Sequence, residues 1–149
     1  MKTKGFSLIE VIIIVIIVSM SVGLAALYYQ SSQVRSDVNN QTKTLVAYLR
    51  LAQSNADSGN NEFNAIHLDP NSYTLFTGNI YNPVAPENYE IELPPTMIIQ
   101  NIALNGGVTD IIFDSPKGET ESYGSFQIFS NQITKTNTIT INQIGTINY

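Results

Sequence analysis

An unbroken apolar segment near the N-terminus constrains this chain more than any other feature. Residues 11–18 are all Val or Ile, and the segment from Phe6 to Tyr29 carries one charge, on Glu10. The span from Val11 to Tyr29 approaches the ~20 residues that a helix needs to cross the hydrocarbon core of a bilayer. Lys2 and Lys4 precede the segment without opposing acids, which keeps that end in the cytoplasm. The sequence therefore predicts a single-pass membrane protein with its C-terminal domain outside the cytoplasm.

Glu10 is the exception within this apolar segment. A carboxylate costs ~2.5–3.5 kcal/mol at the centre of a bilayer and less near the interface, so such a residue usually has a partner. A freshly cut α-amino group on a neighbouring helix would serve. A secretory signal peptide cut near Ala25 and Ala26, or an unprocessed membrane anchor, would leave Glu10 unexplained. A lipoprotein is excluded because the chain has no Cys.

Residues 4–11, Lys-Gly-Phe-Ser-Leu-Ile-Glu-Val, resemble the processing signal of type IV prepilins and type II secretion pseudopilins. The resemblance implies that a prepilin peptidase cuts between Gly5 and Phe6 and methylates the new Phe6 amine. It also implies that Glu10 pairs with the Phe6 amine of an adjacent subunit during assembly. The resemblance implies that the chain lies in the bacterial inner membrane and assembles into a periplasmic or surface filament. The expected partners are this peptidase, other pilin or pseudopilin subunits, the inner-membrane assembly platform and lipid of the inner membrane.

Helical periodicity continues beyond the apolar segment. Gly59-Asn60-Asn61 is a plausible stop, so the pattern predicts one helix from about Phe6 to about Asp57, ~75 Å long at ~1.5 Å per residue. Its second half is expected to pack on a sheet. The apolar residues at helical spacing that define its packing face are Val34, Val38, Leu45, Leu49, Ala52 and Ala56.

After Gly59 the apolar residues alternate with polar ones, which predicts an antiparallel β-domain of short strands. The predicted strands are Phe63–Leu68, Tyr73–Thr77, Tyr89–Leu93, Met97–Leu104, Asp110–Phe113, Ser125–Phe129, Thr138–Ile141 and Thr146–Tyr149. The predicted fold class is α+β: a long N-terminal transmembrane helix packed on a small antiparallel sheet domain. The predicted organisation is a leader at 1–5, a membrane or filament-core helix at 6–29, a soluble helix at 30–58 and a β-domain at 59–149.

A second stretch, Tyr-Leu-Arg-Leu-Ala-Gln-Ser-Asn-Ala at residues 48–56 followed by Gly59, is similar to the GspH/FimT family of minor pseudopilins and pilins. Gln53 stands where that family often has a second Arg. The order of the last strands, with turn glycines at Gly118 and Gly145, is also similar. The resemblance implies a type IV pilin-like fold and a structural minor subunit of a type II secretion or type IV pilus-type filament.

The sequence offers no constellation of catalytic residues, so no enzymatic activity and no cofactor or metal are expected. His67 is the only histidine and is interpreted as structural or exposed. No nucleophile-elbow pattern and no calcium-loop spacing occur. The pair Glu90 and Glu92 is interpreted as a solvated face of one strand.

The alternative function is a membrane-anchored binding module, either an adhesin or a minor pilin for DNA uptake. From residue 30 onward the chain has five bases and eleven acids, a net charge of −6. Such a domain repels phosphate backbones, so nucleic acid is not expected as a partner.

Overall fold

The computed structural model describes residues 7–60 and 62–149, and the side chains of these residues outside 24–27. One long N-terminal helix and two antiparallel four-stranded sheets make up the chain, which confirms the predicted α+β class. The elements are α1 (Leu8–Asp57), β1 (Ala65–Leu68), β2 (Ser72–Phe76), β3 (Tyr89–Glu92), β4 (Met97–Leu104), β5 (Asp110–Ile112), β6 (Gly124–Ser130), β7 (Lys135–Ile141) and β8 (Ile147–Asn148), with a 3-10 turn at Asn105–Gly107.

Helix α1 ends at Asp57, just before the stop predicted at Gly59-Asn60-Asn61. The Gly59 amide donates to the Ala56 carbonyl at 3.1 Å, and the Asn60 amide donates to the Asn55 carbonyl at 2.9 Å. Gly59 has a φ of 69°, the left-handed conformation that glycine adopts at low cost. This pair of bonds is the Schellman motif, which satisfies carbonyls that the helix end leaves open.

The second half of α1 buries the face that the periodicity predicts. Val34 is half-buried, and the other five predicted residues are buried. Val46 joins them, so the buried stripe is wider than predicted. The apolar side chains facing α1 come from both sheets, including Tyr73, Ile111, Phe113, Phe126, Ile128 and Ile139.

The eight strands divide into two sheets, a division that the sequence pattern did not predict. The first sheet has the strand order β3-β2-β1-β5, and the second has the order β4-β6-β7-β8. Pro94 and Pro95 lie between β3 and β4. Because proline cannot donate a ladder hydrogen bond, the chain leaves the first sheet there and enters the second.

Only β4 has the predicted bounds; five strands differ from prediction by one residue at one or both ends, and two differ by more for identifiable reasons. The predicted first strand begins at Phe63, but Phe63 has a φ of 41°, which is incompatible with an extended strand, and β1 begins at Ala65. Strand β7 begins at Lys135 rather than Thr138. Its first residues are polar, so apolar alternation does not reveal them, although they pair with β6 in regular register.

Candidate functional site

The start of α1 carries Glu10, the one predicted assembly residue within the described part of the chain. Ser7 caps the helix, and its carbonyl accepts hydrogen bonds from the amides of Glu10 at 3.0 Å and Val11 at 3.2 Å. The Ser7 amide donates to Glu10 Oε2 at 3.4 Å. This arrangement holds the carboxylate at the positive end of the helix dipole. Because 3.4 Å is long for a hydrogen bond, the exposed carboxylate is free to accept a stronger donor.

Gly5 and Phe6, the residues predicted to be cut and methylated, lie outside the described residues. In the sequence, Phe6 immediately precedes the helix cap Ser7 and stands four residues before Glu10. A new amine at Phe6 would therefore belong to the same short segment as the carboxylate.

The first half of α1 exposes apolar side chains on every side. From Val11 to Val18, each side chain is 48–59% exposed, with no face covered by the rest of the described chain. A helix that is apolar all round belongs in lipid or inside a bundle of other helices. By length and composition, α1 is able to cross a membrane once.

Two serines lie between Val11 and Tyr29, and both satisfy their hydroxyls within the helix. Ser19 Oγ donates to the Val15 carbonyl at 2.7 Å, and Ser21 Oγ donates to the Ile17 carbonyl at 2.9 Å. Since an unsatisfied polar group costs several kcal/mol in hydrocarbon, these bonds make the segment compatible with lipid.

The second half of α1 ends in a junction with two loops of the β-domain. Gln53 Nε2 donates to the Gly118 carbonyl at 3.2 Å. Gly145, in the turn between β7 and β8, lies so close that an added Cβ would overlap both Gln53 Nε2 and the Gly118 carbonyl oxygen. Gly118 and Gly145 belong to the pattern on which the GspH/FimT resemblance depends, and Gln53 is the position where the chain departs from that pattern. The junction gives them a common structural role, which is to fix the helix end against the last loops.

His67 lies on β1, opposite Thr74 of β2 and Asp110 of β5. Its Nδ1 contacts Asp110 Oδ1, its Nε2 lies 3.3 Å from Asp69 Oδ2, and its side chain is 16% exposed. The ring stacks on Tyr81 with centroids 3.9 Å apart. Both ring nitrogens thus face carboxylates, and these contacts join β1 to β5 and to the turn that follows β1.

The predicted acidic pair lies at the edge of the first sheet. Glu90 and Glu92 belong to β3, and both are exposed. Among residues 7–60 and 62–149, no group of three or more His, Asp or Glu side chains is placed to hold a metal ion. The pair has the geometry of a solvated strand face.

Three tyrosines join α1 to the first sheet. Tyr48 of α1 lies with its ring centroid 6.1 Å from that of Tyr73 in β2 and 6.4 Å from that of Tyr89 in β3. Tyr73 is fully buried, and its hydroxyl has no hydrogen-bond partner in the described part of the chain. Burial, with the neighbouring Tyr48 and Tyr89, raises the pKa of the Tyr73 hydroxyl above its ordinary value of 10.0.

Polar contacts between α1 and β7 were missed by sequence reasoning. Asn39 Oδ1 accepts from Lys135 Nζ at 2.6 Å and from Asn137 Nδ2 at 3.2 Å. Asn137 also donates to the Thr42 hydroxyl at 2.9 Å. The sequence did contain an indication of these contacts. Lys135 and Asn137 alternate along the strand with the buried Ile139, so all three side chains point to the same face of the sheet.

Comparison of the chain with protein-family models, with curated proteins and with solved structures finds no significant match. The architecture of one long apolar N-terminal helix with an antiparallel β-domain is consistent with a pilin-like protein.

Proposed function

We propose that this chain is a structural subunit of a type IV pilus-type or type II secretion filament, of the GspH/FimT-like minor pilin or pseudopilin kind. The observation that carries the proposal is the continuity of α1. The same unbroken helix has a first half whose apolar side chains lack partners in the described chain and a second half buried in the β-domain. Side-by-side packing of such chains buries the first halves in a common core and leaves the β-domains outside.

In this proposal the chain is made as a precursor, cut after Gly5 and methylated on Phe6. Glu10 then exchanges its weak bond to the Ser7 amide for the charged Phe6 amine of a neighbouring subunit. A bond between two charged groups is stronger than one to a neutral amide. Pairing also removes the cost of a bare carboxylate in an apolar helix bundle, and this sets the axial register of the new subunit.

The precursor proposal is tested by the mass of the mature N-terminus, measured on protein recovered from membranes of cells that contain the processing enzyme. We expect loss of residues 1–5 and one methyl group on Phe6. The variant Gly5→Val should insert into the membrane but keep its leader. A wild-type chain that still begins at Met1, or begins beyond Ala26, would contradict the proposal.

The role of Glu10 is tested by the fraction of protein recovered in sheared filaments relative to membranes. Both Glu10→Val and Glu10→Gln should be processed normally and incorporated poorly. Gln keeps an oxygen that can accept the bond from the Ser7 amide but loses the charge, so it separates pairing from helix capping. Glu121→Gln, an exposed site in the β-domain, is the matched control. Normal incorporation of Glu10→Gln would count against charge pairing.

A further inference from the structure

One end of the β-domain lies beside the start of the second half of α1. The turn between β6 and β7, residues 131–134, is separated from the helix by a groove. The residues that line this groove are Gln30, Ser31, Val34, Gln132 and Ile133. The loop before β4 lines a second groove further along the helix, against residues 34–41. The β6–β7 turn therefore reaches closer to the apolar first half of α1 than that loop does.

The β6–β7 turn is held in place against α1. Ser130 and Lys135 are paired in register on either side of the turn. The Asn131 amide donates to the Thr96 carbonyl at 3.1 Å, and Lys135 Nζ donates to Asn39 Oδ1 of α1 at 2.6 Å. These bonds fix the position of the turn along the helix. The depth of α1 in a membrane therefore sets the depth of the turn.

The length of the apolar segment places the turn at the membrane surface. The nineteen residues from Val11 to Tyr29 rise ~28 Å, close to the ~30 Å thickness of the hydrocarbon core. Tyr28 and Tyr29 are exposed, and tyrosine is enriched at the boundary of this core. Gln30 and Val34 then lie ~2–8 Å beyond the boundary, within a headgroup layer ~5–8 Å thick. The β6–β7 turn, across the groove from them, lies at the same level.

The charge at this end of the domain is opposite in sign to the charge of the rest. The charged residues within 30–41, 93–97 and 131–137 are Arg35, Asp37 and Lys135. Elsewhere after residue 30 the chain has three bases and ten acids. Anionic headgroups attract bases and repel acids. The charge distribution therefore favours the approach of this end to a phospholipid surface.

The turn has one apolar side chain among polar ones. Ile133 is half-buried, and its neighbours Gln132 and Thr134 are exposed. Val34, also half-buried, lies on the other side of the groove. Apolar groups flanked by polar groups suit the boundary between headgroups and acyl chains. The groove thus offers apolar contacts from Ile133 and Val34 and polar contacts from Gln30 and Gln132.

We infer that the β6–β7 turn docks on the phospholipid headgroups of the bilayer that α1 spans. The inference rests on the proposed function and concerns the subunit before it enters a filament. A spanning helix tilts by ~20° on average, and the length of its apolar segment does not set the direction of the tilt. Docking selects the tilt toward the β6–β7 turn and gives the β-domain one orientation on the membrane. Entry into a filament then requires this lipid contact to break.

The test measures how close the turn lies to headgroups. Because the chain has no Cys, one introduced Cys carries a unique fluorescent label. The full-length chain is reconstituted in vesicles of phosphatidylethanolamine and phosphatidylglycerol that contain a lipid with a nitroxide quencher on its headgroup. The label on Gln132→Cys should be quenched about as strongly as the label on Gln30→Cys.

Gln143→Cys is the matched control, because Gln143 lies in the turn at the other end of β7. Gly145 of that turn lies against Gln53, which is twenty-three residues beyond Gln30. This separation corresponds to ~35 Å along α1, so the label on Gln143→Cys should not be quenched.

Substitutions at the tip of the turn test whether the lipid contact holds it there. Ile133→Asp should remove most of the headgroup quenching of the label on Gln132→Cys, since a carboxylate is repelled by anionic headgroups. Ile144→Asp, at an exposed site in the turn after β7, is the matched control and should leave the quenching unchanged. Ile133→Trp should raise the quenching, because tryptophan favours the interface, and misfolding alone would not produce a rise.

Three outcomes would overturn the inference. The first is a Gln132→Cys label quenched no more than the Gln143→Cys label, and the second is an equal effect of Ile133→Asp and Ile144→Asp. The third is a Gln132→Cys label shielded from iodide in water but not quenched by lipid, which would mean that protein covers the turn. A label on Met20→Cys, read with nitroxides in the acyl chains, tests the span itself. Failure there defeats the proposed function, whereas a deep Met20→Cys label with any of the three outcomes defeats the docking inference alone.

Discussion

The two halves of α1 belong to one helix but differ in where their apolar side chains find contacts. Between Val11 and Val18 every side chain is about equally exposed, so the described chain covers none of them. Between Val38 and Ala56 one stripe is fully buried by the two sheets, and mostly uncharged polar residues, together with Lys43 and Arg50, occupy the rest of the surface. The second half therefore stabilises the β-domain, whereas the first half must obtain its contacts from lipid or other chains.

The largest expected difference between the two halves of α1 is in the free energy of unfolding after truncation of a buried leucine. Leu49→Ala removes a fully buried side chain and should lower the free energy of unfolding of the β-domain by about 2–5 kcal/mol. Ile14→Ala removes a comparable side chain from the first half and should leave that free energy unchanged. Urea unfolding of the full chain in detergent, followed by tyrosine fluorescence, measures both. Equal losses in the two variants would mean that the first half also packs on the β-domain.

A second contrast uses one glycine from each half of the molecule. Gly145 has a φ of 81°, and its added Cβ would overlap Gln53, so Gly145→Ala should cost about 1–3 kcal/mol. Gly23 lies within α1 with no atom within 4 Å of an added Cβ. Gly23→Ala should therefore leave β-domain unfolding unchanged, and its higher helix propensity should favour the helix. The same urea experiment measures both variants.

A double variant separates the two causes of the loss. Adding Gln53→Ala to Gly145→Ala should restore part of the free energy of unfolding that Gly145→Ala loses. The added Cβ would then lose one of its two clashing partners. A double variant as unstable as the single one would assign the cost to the left-handed backbone and the Gly118 carbonyl instead.

Sequence reasoning succeeded wherever a single periodic pattern determined the structure. Apolar spacing and turn residues predict the helix end at Asp57 and the buried face of α1 that includes Leu49. They also predict the existence of all eight strands. The division into two sheets was not predictable, because strand pairing depends on contacts between distant segments. Gln53 was noted as a departure from the family pattern, but its contact with Gly118 depends on the three-dimensional path of two loops.

The first sheet illustrates the same limit. In the sequence, Glu90 and Glu92 are interpreted as a solvated strand face, and only the strand order shows that β3 lies at an edge of its sheet.

The smallest expected effect concerns Tyr73, against which the second half of α1 packs through Tyr48. The unfolded chain loses the tyrosine proton near pH 10.0, and the folded chain holds it to higher pH because burial raises the pKa. Above that pH the unfolded state binds fewer protons than the folded state. Stability must therefore fall as the pH rises above about 10 and is unaffected by this group at neutral pH.

Tyr73→Phe removes both the titrating group and a buried hydroxyl that lacks a partner in the described chain. We expect the variant to be as stable as wild type at pH 7, or more stable by about 1 kcal/mol, and to lose less stability between pH 9 and about 11. Tyr28→Phe is the control, since Tyr28 is exposed and belongs to the part of α1 that lies outside the β-domain core. Urea unfolding across this pH range measures all three chains. A Tyr73→Phe variant that is destabilised at neutral pH would mean that the hydroxyl has a partner, such as a buried water, and that the second half of α1 packs around a polar centre.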